Sequence, residues 1–537
     1  VAKLDTFKEA NAPLPGSYKA WQIFGAGMEN VGKNGDISEL PLRAPQDNEI
    51  LIRIDALGIC LSDIKIINQG GNHARLRGRD LANDPTVLGH ECAVTVVAVG
   101  KQWHDMFKPG ERYIVQADIY NQGVSVAFGY LIPGGMAEYS YLDERALAGD
   151  EGCYLLPVRD ETGYSQAALA EPWACVEMSY NLEERVQPGG NRILIVTEEP
   201  AVWHQDFPVA EVVSPALEEV IEGSLYNDII ITKPTSALVN KLSEHLDKDG
   251  VMFLLGEAQD NDIVSLDVGK IHYQGQRYFG GGATLDEVAA AHRRNDLLPG
   301  GRALFIGAGG PMGQMHVQRS IEIAEAPKTV VVTDLDRGRL DHIEARFGAL
   351  AQSRGITLKT FAPSDFAEPA MMNAEIKSWG GPDGYSDIAI LAPVAALVPQ
   401  VMTWAADGAF LNVFAGVVIG SKADFHLKDL CRGITIIGSS GSRISDLRKV
   451  LSMIESGELN TNLSVAAIGG LDAARDGLQA VKEARFPGKT VIYTQVEHLP
   501  LTPLEDVAKR FPKLGAHLSP EGAWTKEAEQ ALLEEYL

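Results

Sequence analysis

Cysteine is scarce: five in 537 residues (Cys60, Cys92, Cys153, Cys175 and Cys431), with no CxxC pair among them. An odd, scattered set excludes a disulfide framework and reads as reduced thiols, so the expected location is cytoplasmic. No apolar run approaches the ~20 residues needed to cross a bilayer. The opening stretch, VAKLDTFKEANAPLPGSYKAW, lacks the basic-then-apolar order of a secretory signal. Basic side chains are also in short supply, 47 against 72 acidic, for a formal charge of -25. Such a surface repels phosphate backbones and anionic lipid, so neither nucleic acid nor a membrane is expected as a partner. What remains, 45% hydrophobic and 22% charged residues, is the balance of a globular protein large enough for several domains.

The first part of the chain reads as β-rich. Glu49 to Ala56 (EILIRIDA) and Cys92 to Val99 (CAVTVVAV) are short, β-branched and bounded by turn residues, and KPGER at Lys108 to Arg112 is a tight turn before another strand. From about residue 183, apolar strands alternate with amphipathic helices, the texture of a parallel α/β sheet. After about residue 450 the pattern is mixed again. The expected class is therefore α/β plus β.

The α/β part repeats itself. Tyr226 to Val239 (YNDIIITKPTSALV) and Tyr385 to Val398 (YSDIAILAPVAALV) agree at eight of fourteen positions. HLDKDGVMFLLG ending at Gly256 parallels WAADGAFLNVFAG ending at Gly416, and RYFGG from Arg277 parallels TIIGS from Thr435. Any two βα units share a strand and a turn, but several matches in one order point to duplication. The expected boundaries are 1–182, 183–297 for the first copy, 298–450 for the second, and 451–537 as a return segment completing the first domain with a C-terminal tail.

The copies differ chemically. After the strand ALFI the second reads Gly307-Ala308-Gly309-Gly310-Pro311-Met312-Gly313 and then a helical stretch. Glycines there admit a pyrophosphate, met by the free N–H groups of the helix N-terminus. The next strand ends on Asp334, 21 residues beyond Gly313, where a carboxylate accepts ribose hydroxyls and repels a 2′-phosphate. NAD is the expected dinucleotide, although the neighbouring Arg337 and Arg339 offer a 2′-phosphate an alternative partner. The first copy reads ILIVTEEPAVW, without glycines and with Glu198 and Glu199 facing the would-be pyrophosphate, so it is expected to bind none.

Three segments of the β-rich part can supply a metal: Gly58-Ile59-Cys60-Leu61-Ser62-Asp63, Gly89-His90-Glu91 and Ala170-Glu171-Pro172. Thiolate, imidazole and carboxylate form the ligand set of catalytic zinc. Singly each is weak, since a buried cysteine is more often an apolar core residue.

The order GIC-x-SD, GHE, KPGERY, AEPW and a glycine-rich dinucleotide fold resembles the zinc-dependent medium-chain dehydrogenase/reductase family, most of all its sorbitol dehydrogenase / L-sorbose 1-phosphate reductase-like branch. The resemblance covers about residues 20–185 and 298–495. It implies a GroES-like catalytic domain and a Rossmann domain, the latter preceded by a partial degenerate Rossmann-like repeat. It implies Cys60 and His90 as zinc ligands, Glu91 and Glu171 as two carboxylates near the metal of which either binds it, and Ser62 as the hydroxyl that passes on the substrate proton. It also implies Asp334 and Arg339 as contacts of the adenosine ribose. Three departures stand out. GAGGPMG is one residue longer than G-x-G-x-x-G, Leu61 replaces a common glycine, and Tyr113 to Ser140 contains no cysteine for a structural zinc. One catalytic zinc per chain is the implied count.

The expected function is hydride transfer between NAD(H) and a secondary alcohol or ketone of a polyol, sugar or sugar phosphate. The alternatives are an amino-acid dehydrogenase similar to threonine dehydrogenase, a zinc-free quinone or enoyl reductase, and a non-catalytic protein on this fold. His73, Arg75, Arg77 and Arg79 in the loop NHARLRGRD offer a phosphate site or merely a solvated basic loop. A homo-oligomer is open. The degenerate repeat is expected to pack on the functional NAD domain as an internal pseudo-partner, with the strand around Tyr278 beside that around Ile436.

Overall fold

A computed structural model describes residues 3–10, 12–181, 185–198, 207, 210–213 and 224–537. The chain divides into two units, Val1–Glu177 with Gly441–Leu537, and Met178–Ser440. The expected boundary at 182/183, and Glu199 of the first copy's loop, lie outside the described residues. No helix among the described residues is long and apolar enough to cross a membrane.

The first unit is organised on an eight-stranded sheet. Its central strand, Glu49–Gly58, is buried along nearly its whole length because both faces are covered. It lies antiparallel to Glu91–Val99, which in turn pairs with Arg112–Val115. The two charges inside this apolar strand satisfy each other: Arg53 Nε donates to Asp55 Oδ1 at 2.7 Å, and the Thr95 hydroxyl donates to Asp55 Oδ2 at 2.6 Å. The chain returns after residue 441 to extend the same sheet, with Val491 opposite Gly58 and Ile492 opposite Leu57. That pairing brings a residue from near the end of the sequence, Lys489, to the Gly58 end of the central strand.

Among its described residues the second unit holds two parallel sheets. One has five strands in the order Ala210–Val213, Ile193–Val196, Tyr226–Ile231, Leu246–Leu255, Arg277–Gly282. The other has six, in the order Thr357–Phe361, Thr329–Thr333, Arg302–Ile306, Tyr385–Ile390, Ala405–Val413, Thr435–Gly438. The repeat seen in the sequence is repeated in detail. Register slips at Tyr226/Asp228 in one copy and at Tyr385/Asp387 in the other. Asp228 is paired with Arg185, and Asp387 with Arg294. The same irregularity and the same ion pair on a buried aspartate in both copies are what a common ancestor module predicts.

The two copies are joined by a small two-stranded sheet outside their parallel sheets. Ile263–Asp267 of the first pairs antiparallel with Lys422–His426 of the second, with Ser265 opposite Asp424. Tyr278 and Ile436 belong to one apolar core, and Arg277 Nη2 donates to Gly438 O at 3.2 Å. Equivalent strands meeting antiparallel make the contact an isologous one, of the kind two identical subunits form. Here a single chain supplies both sides of the contact.

Candidate metal and dinucleotide sites

Cys60, His90 and Glu91 offer one ligand atom each, all within 4.8 Å of one another. Local sequence explains the meeting. Glu91 begins a strand that places it directly opposite Gly58. A Cβ on Gly58 would stand 2.1 Å from Glu91 Oε2, so only glycine leaves room for that carboxylate. Cys60 is the N-cap of the helix Leu61–Gln69, and Asp63 three residues on accepts its N–H at 3.0 Å. The other Asp63 oxygen accepts the Gly89 N–H at 3.2 Å and lies 3.5 Å from His90 Nδ1. A fully buried carboxylate thus stands behind the imidazole and fixes both ligand-bearing turns.

Glu91 is fully buried, and its Oε1 is held at 2.5 Å by Lys489, itself buried. Burial works to lower the Lys489 ammonium, and the Glu91 carboxylate outweighs it and raises it. Glu91 Oε2 is buried without a hydrogen-bond partner, whereas His90 Nδ1 faces the Asp63 carboxylate. Soft thiolate, imidazole and a carboxylate oxygen left over from its ion pair fit a zinc ion, which compensates such an orphaned atom.

Glu171 stands outside the 4.8 Å group, on the helix Ala170–Met178, with Oε1 4.0 Å from Cys175 Sγ. Burial raises its carboxyl to about 7, with His90 pulling it down and Glu91 pushing it up, which places it electrostatically beside the cluster. Ser62 is half-buried in the first turn after Cys60. Asp63 and Lys489 are the functional side chains that sequence reasoning missed. Asp63 had a local signal, a carboxylate at the third helical position behind an N-cap. Lys489 had none, being 398 residues from Glu91.

Against His90 packs the ring of Tyr130, centroids 5.7 Å apart, and Tyr130 also faces His73 at 5.9 Å. The Arg75 guanidinium lies 5.1 Å from the Tyr130 centroid and donates to Asp118 Oδ1 at 2.5 Å. Arg79 is spent on the loop itself, donating to Asp84, Pro85 and Leu131. Arg77 is exposed.

In the second unit the strand Arg302–Ile306 runs into the glycine loop and the helix Pro311–Glu322. Gly310 is the N-cap, Pro311 opens the first turn, and Met312 follows it. Gly313, the last glycine of the loop, is the close-packing one, since a Cβ there would meet Ala308 Cα at 2.4 Å. Gly309 N–H donates to Asp334 Oδ2 at 2.7 Å, and the Asp336 N–H donates to Oδ1 at 3.0 Å. The carboxylate is thereby locked at the end of the strand Thr329–Thr333. Arg339 Nε lies 3.8 Å from Asp336. Arg337 is bound by three carboxylates, Asp341, Glu344 and Asp365. The first copy shows Lys233 paired with Glu198 near the corresponding strand end.

Residues 46–149 match the alcohol dehydrogenase GroES-like domain. Over nearly its whole length the chain is similar to the L-sorbose 1-phosphate reductase of Klebsiella pneumoniae, 26% identical over 497 residues, 92% of this chain and 93% of the relative. It is 25% identical to the mannitol-1-phosphate 5-dehydrogenase of Aliivibrio fischeri over 501 residues, 91% and 92% of the two chains. The sorbitol dehydrogenase of Bacillus subtilis is 31% identical over 167 residues, 28% of this chain and 43% of that one. Among solved structures, 2R,3R-butanediol dehydrogenase from Bacillus subtilis superimposes with a TM-score of 0.51 at 17% identity, covering 89% of this chain and all of that one, a likeness of fold.

Proposed function

From its place in the zinc-type medium-chain dehydrogenase/reductase family, in the branch of sorbitol dehydrogenase and sorbose-phosphate reductase, we propose that this oxidoreductase moves a hydride between NAD(H) and a secondary alcohol or ketone of a polyol phosphate. The observation that carries the reading is the convergence of Cys60, His90 and Glu91, with Glu91 Oε2 buried and unpartnered. Cys60, His90 and Glu91 hold the metal, and the Gly307–Gly313 loop with Asp334 and Arg339 holds the dinucleotide. When bound, zinc supplies Lewis-acid polarisation of the carbinol oxygen, and NAD supplies the hydride acceptor.

The chain's own groups do the rest. Lys489 fixes one oxygen of Glu91 and leaves the other for the metal, and Asp63 orients His90. Glu171, with its carboxyl near 7, takes or returns a proton at neutral pH, and Ser62 relays the substrate's hydroxyl proton outward. Arg75, beside Tyr130 and His90, is the contact for the substrate phosphate; its charge is balanced by Asp118 in the free protein. Asp334 selects NAD over NADP. The isologous meeting of the two copies supports the degenerate repeat as an internal pseudo-partner, with one dinucleotide and one catalytic zinc per chain.

The test is metal analysis with an NAD-reduction screen over polyols, sugar phosphates and amino acids. Zinc near one equivalent and turnover of a sugar or polyol phosphate are expected. Preference for an amino acid would transfer the chain to the threonine dehydrogenase-like reading, and full activity of Cys60→Ala without metal would end the zinc assignment. Calorimetric titration with NADH is expected to give one site per chain; two would refute the degeneracy of the first copy.

A further inference from the structure

Tyr130 is 5% exposed, and its ring stands against that of His90 with centroids 5.7 Å apart. The backbone builds in that placement. Tyr130 N–H donates to Ala127 O at 3.2 Å, and its carbonyl accepts the Thr86 hydroxyl at 2.9 Å. The preceding Gly129 has a φ of +80°, and a Cβ there would stand 2.8 Å from Gly89 O. Only glycine therefore lets this turn close on the turn that carries His90. The Arg75 guanidinium lies 5.1 Å from the same ring centroid. One ring thus adjoins both the metal cluster and the arginine assigned to the substrate phosphate.

The hydroxyl of that ring is unused. It has no hydrogen-bond partner among the described residues, yet it retains accessible surface. Burial raises the phenol above its usual range, His90 and Arg75 oppose the rise, and Asp63 and Cys60 add to it. The oxygen therefore lies among the groups of the metal cluster, and at neutral pH it is an intact O–H donor. A tyrosine so enclosed normally finds a partner for its hydroxyl.

We propose that Tyr130 sets substrate specificity by donating a hydrogen bond to the hydroxyl on the carbon next to the reacting one, an inference that rests on the dehydrogenase function proposed above. The reacting oxygen belongs to the metal and Ser62, and the phosphate to Arg75. A donor beside both His90 and Arg75 meets the carbon chain that joins the two, and in a polyol phosphate those carbons carry hydroxyls. A plain secondary alcohol leaves the Tyr130 hydroxyl unpaired, so a vicinal diol is preferred.

The experiment compares wild type with Tyr130→Phe, which keeps the ring on His90 and removes only the donor. Steady-state rates with NAD are measured for butane-2,3-diol and butan-2-ol, which differ by the one hydroxyl at issue and carry no phosphate for Arg75. Wild-type kcat/KM for the diol is expected to exceed that for the mono-alcohol by about tenfold or more. Tyr130→Phe is expected to lose about tenfold on the diol, mostly through KM, and almost nothing on butan-2-ol. Unchanged zinc content and NADH affinity show that the variant is intact. Equal losses on both alcohols would assign Tyr130 to holding His90 alone, and no loss on either would remove it from the substrate site; each overturns the proposal. If only a polyol phosphate is turned over, that compound and its analogue lacking the neighbouring hydroxyl replace the two alcohols, with the same outcomes. A wild type that oxidises none of these compounds overturns the dehydrogenase function itself, and this inference with it.

Discussion

His292 Nδ1 lies 2.7 Å from the Thr435 hydroxyl, across the junction between the two copies of the repeated module. The other ring nitrogen, Nε2, is 2.9 Å from the carbonyl of Gly280, which can only accept, so Nε2 carries the proton and Nδ1 accepts from Thr435. Phe279 stacks on the ring at 4.2 Å. Burial lowers the imidazole from 6.5 to about 4, the Gly280 carbonyl opposing it in part. The unfolded chain takes up a proton near 6.5 and the folded chain does not until about 4. Stability from this residue is therefore complete above 6.5 and is lost as the pH falls toward 4, by on the order of 3 kcal/mol. Melting curves at pH 7 and pH 5 check it: the fall in midpoint on acidification is expected to shrink in His292→Phe, which keeps the stack and removes the titration.

Lys489 and Glu91 form the second test. Lys489→Met leaves a fully buried carboxylate without its cation, which costs about 3–5 kcal/mol when no other charge replaces it. The expected result is a large loss of stability in metal-free protein, reduced when zinc is present, because the metal then takes over as partner of Glu91. Glu91→Gln in the same background removes the charge and is expected to recover part of the loss. Equal destabilisation with and without zinc would show that Glu91 does not face the metal.

Much of this was legible in the sequence because it is local. Strands such as Glu49–Gly58 announce themselves by β-branched runs between turns, and the duplication by its aligned pattern from Tyr226 and Tyr385. The candidate ligands Cys60, His90 and Glu91 were legible as two short motifs in an order that resembles a family. What the sequence did not show is set by long-range pairing. Lys489 reaches Glu91 only because a late strand returns beside Gly58, and the antiparallel pairing of Ile263–Asp267 with Lys422–His426 has no signal in either segment alone. The basic loop was misleading in another way. Three arginines of one type carry different assignments, since Arg79 is spent on its own loop, Arg75 on Asp118, and Arg77 faces solvent.

Cofactor choice follows from Asp334 and its neighbours. The carboxylate is held by the N–H groups of Gly309 and Asp336, and Arg337 is engaged by Asp341, Glu344 and Asp365. A 2′-phosphate would meet a fixed negative charge while that arginine is occupied. Catalytic efficiency with NAD is expected to exceed that with NADP by about tenfold or more, the ratio one lost or gained charge contact gives. Asp334→Ser is expected to narrow the gap mainly by improving NADP use. Preference for NADP in the wild type would reverse the assignment.

The arginines of the loop between Cys60 and His90 separate a substrate contact from a structural one. Arg75 is mostly enclosed, joined to Asp118 and set over Tyr130, whose ring packs on His90. If it meets the substrate phosphate, Arg75→Gln raises KM for a phosphorylated polyol by about tenfold or more, the scale of a lost charge-assisted contact, and leaves KM for the neutral polyol nearly unchanged. Arg77→Gln, altering an exposed side chain, is expected to leave both nearly unchanged. A structural role predicts a different pattern: removing Arg75 would free Asp118 and loosen Tyr130 against His90, so kcat would fall for both substrates alike. Asp118→Asn divides the cases further. Loss of its charge frees Arg75 for the phosphate, so KM for the phosphorylated substrate falls or holds under the binding role. Under the structural role it impairs both substrates as Arg75→Gln does.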